Sequence, residues 1–142
     1  MDMLHGIAPV ILIGVIIISF YGKVLNAMSM GDDEARSLGV NVWRSRLFLI
    51  GVATLISAST VVIAGTVQWV GVVIPHILRF FIGPDNRILL PASVIGGAAY
   101  LLLTDTVVRT AFSMELPIGI VTALVGLPLF VFAIYKNKGG WR

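Results

Sequence analysis

Few side chains among these 142 residues could carry out chemistry, and their spacing narrows the choice further. His5 and His76 are the only histidines, and they lie far apart in the chain. No carboxylate lies near His76 in sequence and there is no cysteine, so no metal-ligand set forms, and His76, directly after Pro75, reads as a hydrogen-bonded structural histidine. Serines and threonines are plentiful, but two histidines leave no credible nucleophile–base–acid triad. The lack of cysteine also excludes disulfides and thiolate nucleophiles. No Gly-x-x-x-x-Gly-Lys-Ser/Thr run occurs, so ATP bound by such a loop must belong to another subunit. The chain reads as a non-enzyme with no cofactor and no metal.

The ionisable groups that remain interesting are Asp105, Arg109 and Glu115. Asp105 and Arg109 are four apart, the spacing at which a carboxylate pairs with and orients a guanidinium on one helix face. An acid at membrane depth is by default a candidate for a proton relay, but the apolar runs on either side hold no further acid, lysine or arginine to continue one. Asp105 and Glu115 are therefore read as structural or docking residues. Arg109 has two readings: a rim charge that meets an acidic partner, or a helix-end arginine that snorkels to headgroups.

The elements that must position these groups are long and apolar. The chain is 58% hydrophobic and 12% charged, with a mean hydropathy of +1.00, against about 25% charged residues in an ordinary soluble domain. No soluble core of this size hides that much apolar surface. A bilayer core of roughly 30 Å takes about 20 helical residues, and the sequence supplies five membrane-embedded runs, at 3–22, 47–64, 67–82, 88–108 and 116–135. They are continuous and do not alternate, which argues for an all-α polytopic bundle over a closed barrel. From Leu47 to Leu78 there is no charged residue; the stretch is too long for one crossing, and a break is expected near Gly65 to Gln68. Pro75 should kink or shorten its helix, while Pro91, Pro117 and Pro128 are placed at or near run ends. Gly51, Ala53, Ser57, Ala58 and Ser59, and Gly96 to Ala99, read as close helix-packing contacts. Trp43, Trp69, Tyr135 and Trp141 read as interfacial anchors. The N-terminus has no basic region before its apolar run and no small-residue cleavage site after it, and is not read as a signal peptide.

The net charge of +3 comes from ten scattered Lys and Arg residues, not from a stripe that would suit nucleic acid. Threading five spans puts Lys23, Arg36, Arg44, Arg46, Arg79, Arg87, Lys136, Lys138 and Arg142 on one side and Arg109 alone on the other. The positive-inside tendency then predicts that the long loop at 26–46 and the C-terminus are cytoplasmic and that Met1 is outside. That loop is the one substantial polar segment. Asp32 or Asp33 is expected to start a helix, Leu38 to give it an apolar contact, Gly39 to end it, and a second short turn to follow from Asn41. Such a knob fits a groove on a soluble partner, or is an ordinary solvated loop.

At these residues the sequence resembles the FecCD family of ABC importer permeases. Gly31-Asp-Asp-Glu-Ala-Arg-Ser-Leu-Gly39 is similar to the family's Gly-Glu-Glu-x-Ala-x-x-Leu-Gly segment, with aspartates where glutamates are usual. Val70-Gly-Val-Val-Ile-Pro-His-Ile-Leu-Arg79 resembles Val-Gly-Leu-x-x-Pro-His-x-x-Arg. Gly83-Pro-Asp-Asn-Arg-Ile-Leu-Leu-Pro91 resembles Gly-x-Asp-His-Arg-x-Leu-Leu-Pro, with Asn86 in place of the histidine, so no role of that histidine carries over. Asp105-Thr-Val-Val-Arg109 resembles Asp-x-x-Ala-Arg. Glu115-Leu-Pro-Ile-Gly119, followed by Thr122, Ala123, Gly126, Pro128 and Phe130, is similar to the last-helix signature.

The resemblance implies a multi-pass permease of about ten spans in the bacterial inner membrane, of which this chain matches roughly the last five. It implies a homodimer, two cytoplasmic ATP-binding subunits, an extracytoplasmic binding protein, and import of iron-siderophore, heme or cobalamin-type substrates. Gly31, Asp32, Asp33, Ala35, Arg36, Leu38 and Gly39 would couple to the ATPase, and Arg109 with Asp105 would dock the binding protein. Gly71, Pro75, His76, Arg79, Pro117, Gly119, Gly126 and Pro128 would be structural. The competing expectation is a secondary transporter, or a non-transporting membrane module, with no ATPase partner.

Overall fold

The computed structural model describes residues 2–112 and 116–137; Met1, Glu115, Lys138, Trp141 and Arg142 lie outside them, as does the side chain of Asn137. Among the described residues the regular structure is entirely helical: α1 (Asp2–Phe20), α2 (Gly22–Ser29), α3 (Asp32–Ser37), α4 (Val42–Ala64), α5 (Val70–Ile82), α6 (Asn86–Ala111) and α7 (Ile118–Asn137). Helices α1, α4, α6 and α7 contain 19, 23, 26 and 20 residues, which at ~1.5 Å per residue reach roughly 28–39 Å and match a hydrocarbon core of about 30 Å. Helix α5 is as apolar but has 13 residues, roughly 20 Å, too short to cross alone.

These helices turn their large apolar side chains outward: Leu12, Leu102 and Phe132 are 61%, 69% and 63% exposed. In water that surface would drive aggregation; in lipid and against further helices it is the natural one. The fold is a polytopic transmembrane helical bundle.

Many hydroxyl groups inside the apolar helices bond back to their own backbone, although Ser93 Oγ and Tyr100 OH of α6 are buried without a partner among the described residues. Ser19, Thr54, Ser59, Thr60, Thr104, Thr106 and Thr122 each donate to the carbonyl four residues earlier, at 2.7–2.9 Å. This satisfies in hydrocarbon a group that would otherwise need a partner on another helix.

The described residues fall into two compact units, one within Met1–Ile63 and Pro84–Pro91, the other within Ala64–Gly83 and Ala92–Arg142. In the first, α1 and α4 approach at Gly14, where an added Cβ would lie 2.6 Å from Ile56 Cγ1. In the second, α5 packs on α7, and Gly96 of α6 meets Leu78 and Ile74. Gly51 and Gly97 have open space where a Cβ would stand, and Ala53, Ser57 and Ala58 are exposed. Those residues are not helix contacts among the described residues; Gly96 is one, as expected, and the other close approaches fall at Gly14, Gly22, Gly119 and Gly126.

Helical structure stops after Ala64 and resumes at Val70, with Gly65 and Trp69 at φ 72° and 67°. Trp69 is engaged by α7 as well as partly exposed. Its ring lies 5.2 Å from that of Phe130, and a Cβ on Gly126 would lie 2.7 Å from its own Cβ, so α7 takes the indole into packing. Of the prolines expected at or near run ends, Pro117 directly precedes α7 and Pro91 lies one turn inside α6, but Pro128 is in the middle of α7. Pro9 and Pro75 lie within α1 and α5, and Pro9, Pro75, Pro91 and Pro128 are all inside helices. Each removes one rung of the backbone ladder.

Candidate functional site

The polar segment after α1 is more structured than a loop. The helix breaks at Tyr21 and resumes as α2, so that Ala27 reaches the small apolar centre it shares with Ala35 and Val42, flanked by Met28 and Val40. Ala35 is fully buried. Gly31 precedes α3 at φ 129°, a conformation open to glycine but not to other residues. Asp32, Asp33 and Glu34 then occupy the first turn, where the helix dipole favours negative charge.

The end of α3 is closed by paired bonds: the Val40 N–H donates to the Ala35 carbonyl at 3.0 Å and the Gly39 N–H to the Arg36 carbonyl at 3.0 Å. Gly39 stands at φ 83°. This is the Schellman arrangement, completed by apolar contact between Val40 and the helix it caps. The expected turn from Asn41 is instead the start of α4. Asn41 Oδ1 accepts from the Arg44 N–H at 3.1 Å and caps the helix, which therefore begins at Val42, ahead of the apolar run. Leu38 differs from expectation too: it is 65% exposed, and Ala35 makes the inward contact in its place.

The outer face of this knob is acidic and apolar together. Asp32 is held by Arg46 in a two-pronged pair, 2.8 Å and 3.4 Å, partly exposed and therefore worth at most about 1 kcal/mol. The Asp33 side chain is 94% exposed and touches only Arg36, at 3.4 Å. Asp33 and Leu38 are among the groups the knob offers outward, with Met30, Glu34 and Arg36.

A second polar cluster ties α2 to the start of α6. Asn26 Nδ2 donates to Asp85 Oδ1 at 2.7 Å, and Asn26 Oδ1 accepts from the Asn86 N–H at 2.8 Å. Asp85 accepts from the Arg87 N–H at 3.0 Å and from its guanidinium at 3.1 Å and 3.3 Å. Hydrogen bonds from the Arg87 side chain first, then Asn26 and the Arg87 backbone, lower the Asp85 carboxyl from its ordinary 3.8 to about 2. A carboxylate acidified by folding stabilises the fold above its unfolded pKa, and that contribution is lost as pH falls through the folded value. Between about pH 4 and pH 2 the native chain in detergent should therefore lose thermal stability that an Asp85→Asn variant does not lose, as followed by melting curves. Parallel curves in that window would refute the assignment.

In the other unit, Arg109 Nε donates to Asp105 Oδ2 at 2.8 Å along α6. The pair borders an open cleft of about 1370 Å³ that also takes in Trp69, Pro117, Gly119 and Pro128. The Arg109 side chain is 77% exposed. A Cβ on Gly119 would collide with the Thr66 carbonyl, so glycine lets α7 approach that connection. His76 and Arg79 line a separate cleft of about 570 Å³ with Phe80, Phe132 and Lys136, whose Nζ lies 4.7 Å from the Phe80 ring centre. The His76 ring forms no hydrogen bond to a described residue, contrary to expectation. Gly71, in the first turn of α5, has open space beside it. Sequence reasoning missed Gly22, Asn26 and the partnership of Asn26 with Asp85; the one available signal was the Asp-Asn-Arg stretch at 85–87.

The described residues thus form a helical bundle with four helices long and apolar enough to cross a membrane and a polar knob between two of them. The FecCD transport family matches residues 1–136, and the chain belongs to that family. It is 40% identical over 92% of its length to the cobalamin import system permease protein BtuC of Halobacterium salinarum, covering 35% of that protein. It is 38% identical over 97% of its length to the molybdate import system permease protein MolB of Haemophilus influenzae, covering 41% of it. With the hemin transport system permease protein HmuU of Yersinia pestis it shares 38% identity over 82% of its length and 35% of the relative's. The chain thus spans little more than a third of these curated relatives. Among solved structures, an inward-facing conformation of a metal-chelate type ABC transporter superposes with a TM-score of 0.89 at 36% identity, over 95% of this chain and 44% of that one.

Proposed function

We propose that this chain is the later part of the membrane-spanning permease of an ATP-driven importer, and that its knob receives the motion of a cytoplasmic ATPase subunit. The observation that carries the reading is the knob itself: a buried alanine centre, the closure of α3 at Gly39 and the Asn41 cap on α4 hold a surface that includes Asp33 and Leu38 in a fixed arrangement. A solvated loop has no need of such a scaffold. Closure of the ATPase pair would push the knob as a rigid piece and shift the helices continuous with it. On this reading the knob and C-terminus are cytoplasmic, the bilayer is the bacterial inner membrane, and the permease works as a homodimer. Arg109, exposed and steered by Asp105, meets an extracytoplasmic binding protein, where a rim charge governs encounter rate and its salt dependence.

The cargo is an iron-siderophore, heme or cobalamin-type chelate. The names of the relatives range from cobalamin to hemin to molybdate, which suits a segment whose task is coupling and not choice of cargo.

Recovery of an ATPase subunit with the tagged permease tests the reading. Because Asp32 is engaged with Arg46, Asp33→Lys and Leu38→Asp are the informative changes. Each should reduce recovery about tenfold or more, the effect of losing about 1.4 kcal/mol at an interface. Uptake driven by an ion gradient, with no ATPase recovered, would favour a secondary transporter instead.

A further inference from the structure

From the cluster at Asn26, Asp85 and Asn86 we infer that Asn26 is a positioning residue that locks the knob to the first turn of α6, so that 22–42 and 84–91 move as one body. The lock is a matter of geometry; its consequence for transport rests on the function proposed above.

A helix begins with N–H groups that have no partner in the helix. At α6 the Ile88 and Leu89 N–H groups go to the Asp85 carbonyl and the Arg87 N–H to the Asp85 carboxylate. The Asn86 N–H is met from a different helix, by Asn26 Oδ1. The same amide donates through Nδ2 to the capping carboxylate. An amide side chain presents a donor and an acceptor side by side, which is what these two partners require. Aspartate would set two carboxylates against each other, and an aliphatic residue would leave the Asn86 N–H open and take one donor from Asp85, which Arg87 still meets.

The surrounding packing points the same way. Gly22 lies one helical turn before Asn26, on the same face of α2, and a Cβ there would lie 2.8 Å from Arg87 Cα and 2.9 Å from Arg87 N. The backbones of α2 and α6 are therefore in direct contact. The next residue, Ala27, is packed into the centre of the knob with Ala35 and Val42. Helix α2 thus joins α3 on one side to the first turn of α6 on the other. Pro91 has no N–H to return to the Arg87 carbonyl, so the ladder of α6 is interrupted one turn in. The compact unit that holds the knob ends at that proline.

The chain has no cysteine, so spin labels on a Ser37→Cys and Ile88→Cys pair report one distance, between α3 and the first turn of α6, in the membrane-embedded protein. The native background should give a narrow distribution that ATP and the ATPase subunit leave unchanged. Asn26→Ala and Asn26→Asp should broaden it about twofold, and Asn26→Asp combined with Asp85→Asn should narrow it again. A narrow distribution in Asn26→Ala, a swap that fails to restore the width, or a native distance that shifts with ATP would each overturn the inference. If no ATPase subunit binds any variant, the reading of function fails while the widths without ATP still decide the lock.

Discussion

Gly39→Leu should leave ATP hydrolysis by the partner subunit running while uptake by the assembled transporter falls about 5- to 30-fold. Gly39 closes α3 at φ 83°, where a side chain other than glycine costs about 1–2 kcal/mol, and a cost of that size shifts the population of the native turn by a factor of about 5–30. Nothing lies within 4 Å of the position a Cβ would take, so the damage is confined to how the turn presents Leu38 and Asp33. Gly39→Asn serves as the control, because asparagine tolerates the left-handed region, and it should retain most coupling. Uptake and phosphate release measured on the same proteoliposomes give the ratio. An unchanged ratio in a well-expressed Gly39→Leu transporter would sink the coupling role.

Gly22→Leu should cost about 1–3 kcal/mol in stability, the usual penalty for forcing atoms into a filled site. The obstacle is the backbone of Arg87, which cannot swing aside as a side chain would. Asp85 and Asn86 on its N-terminal side are already held by Asn26. Gly51→Leu is the matched control: it also lies in an apolar stretch, but open space surrounds it. Melting curves of the chain in detergent should separate the two variants, and equal melting temperatures would show that α2 and α6 do not meet as described.

The crossings were legible because hydrocarbon imposes a length and a composition that few other demands imitate; the absence of charge from Leu47 to Leu78 marked two elements where one would be too long. The α3 knob was legible from acids in its first turn and glycines at both ends. Helix α2 was not, since Gly22-Lys-Val-Leu-Asn-Ala-Met-Ser29 mixes types and its helicity comes from packing Ala27 inward. Leu38 was expected to give α3 an apolar contact; the Schellman closure turns Val40 inward and leaves Leu38 exposed. Pro128 misled because a proline in a helix exposed to water is disruptive, whereas in a membrane bundle neighbouring groups tolerate the missing rung. The bond between Asn26 and Asp85 joins positions 59 apart, and no local pattern in one sequence carries such a pairing.

The hydroxyls that fold back on their own helices have a mechanical meaning. Where a helix face has its hydroxyls spent internally, it offers its neighbours chiefly dispersion contacts, so that face can turn or slide without breaking a hydrogen bond where no water could replace it. Friction of that kind is low and reversible, which is what the importer cycle proposed above would require of helices that visit two shapes and return unaltered.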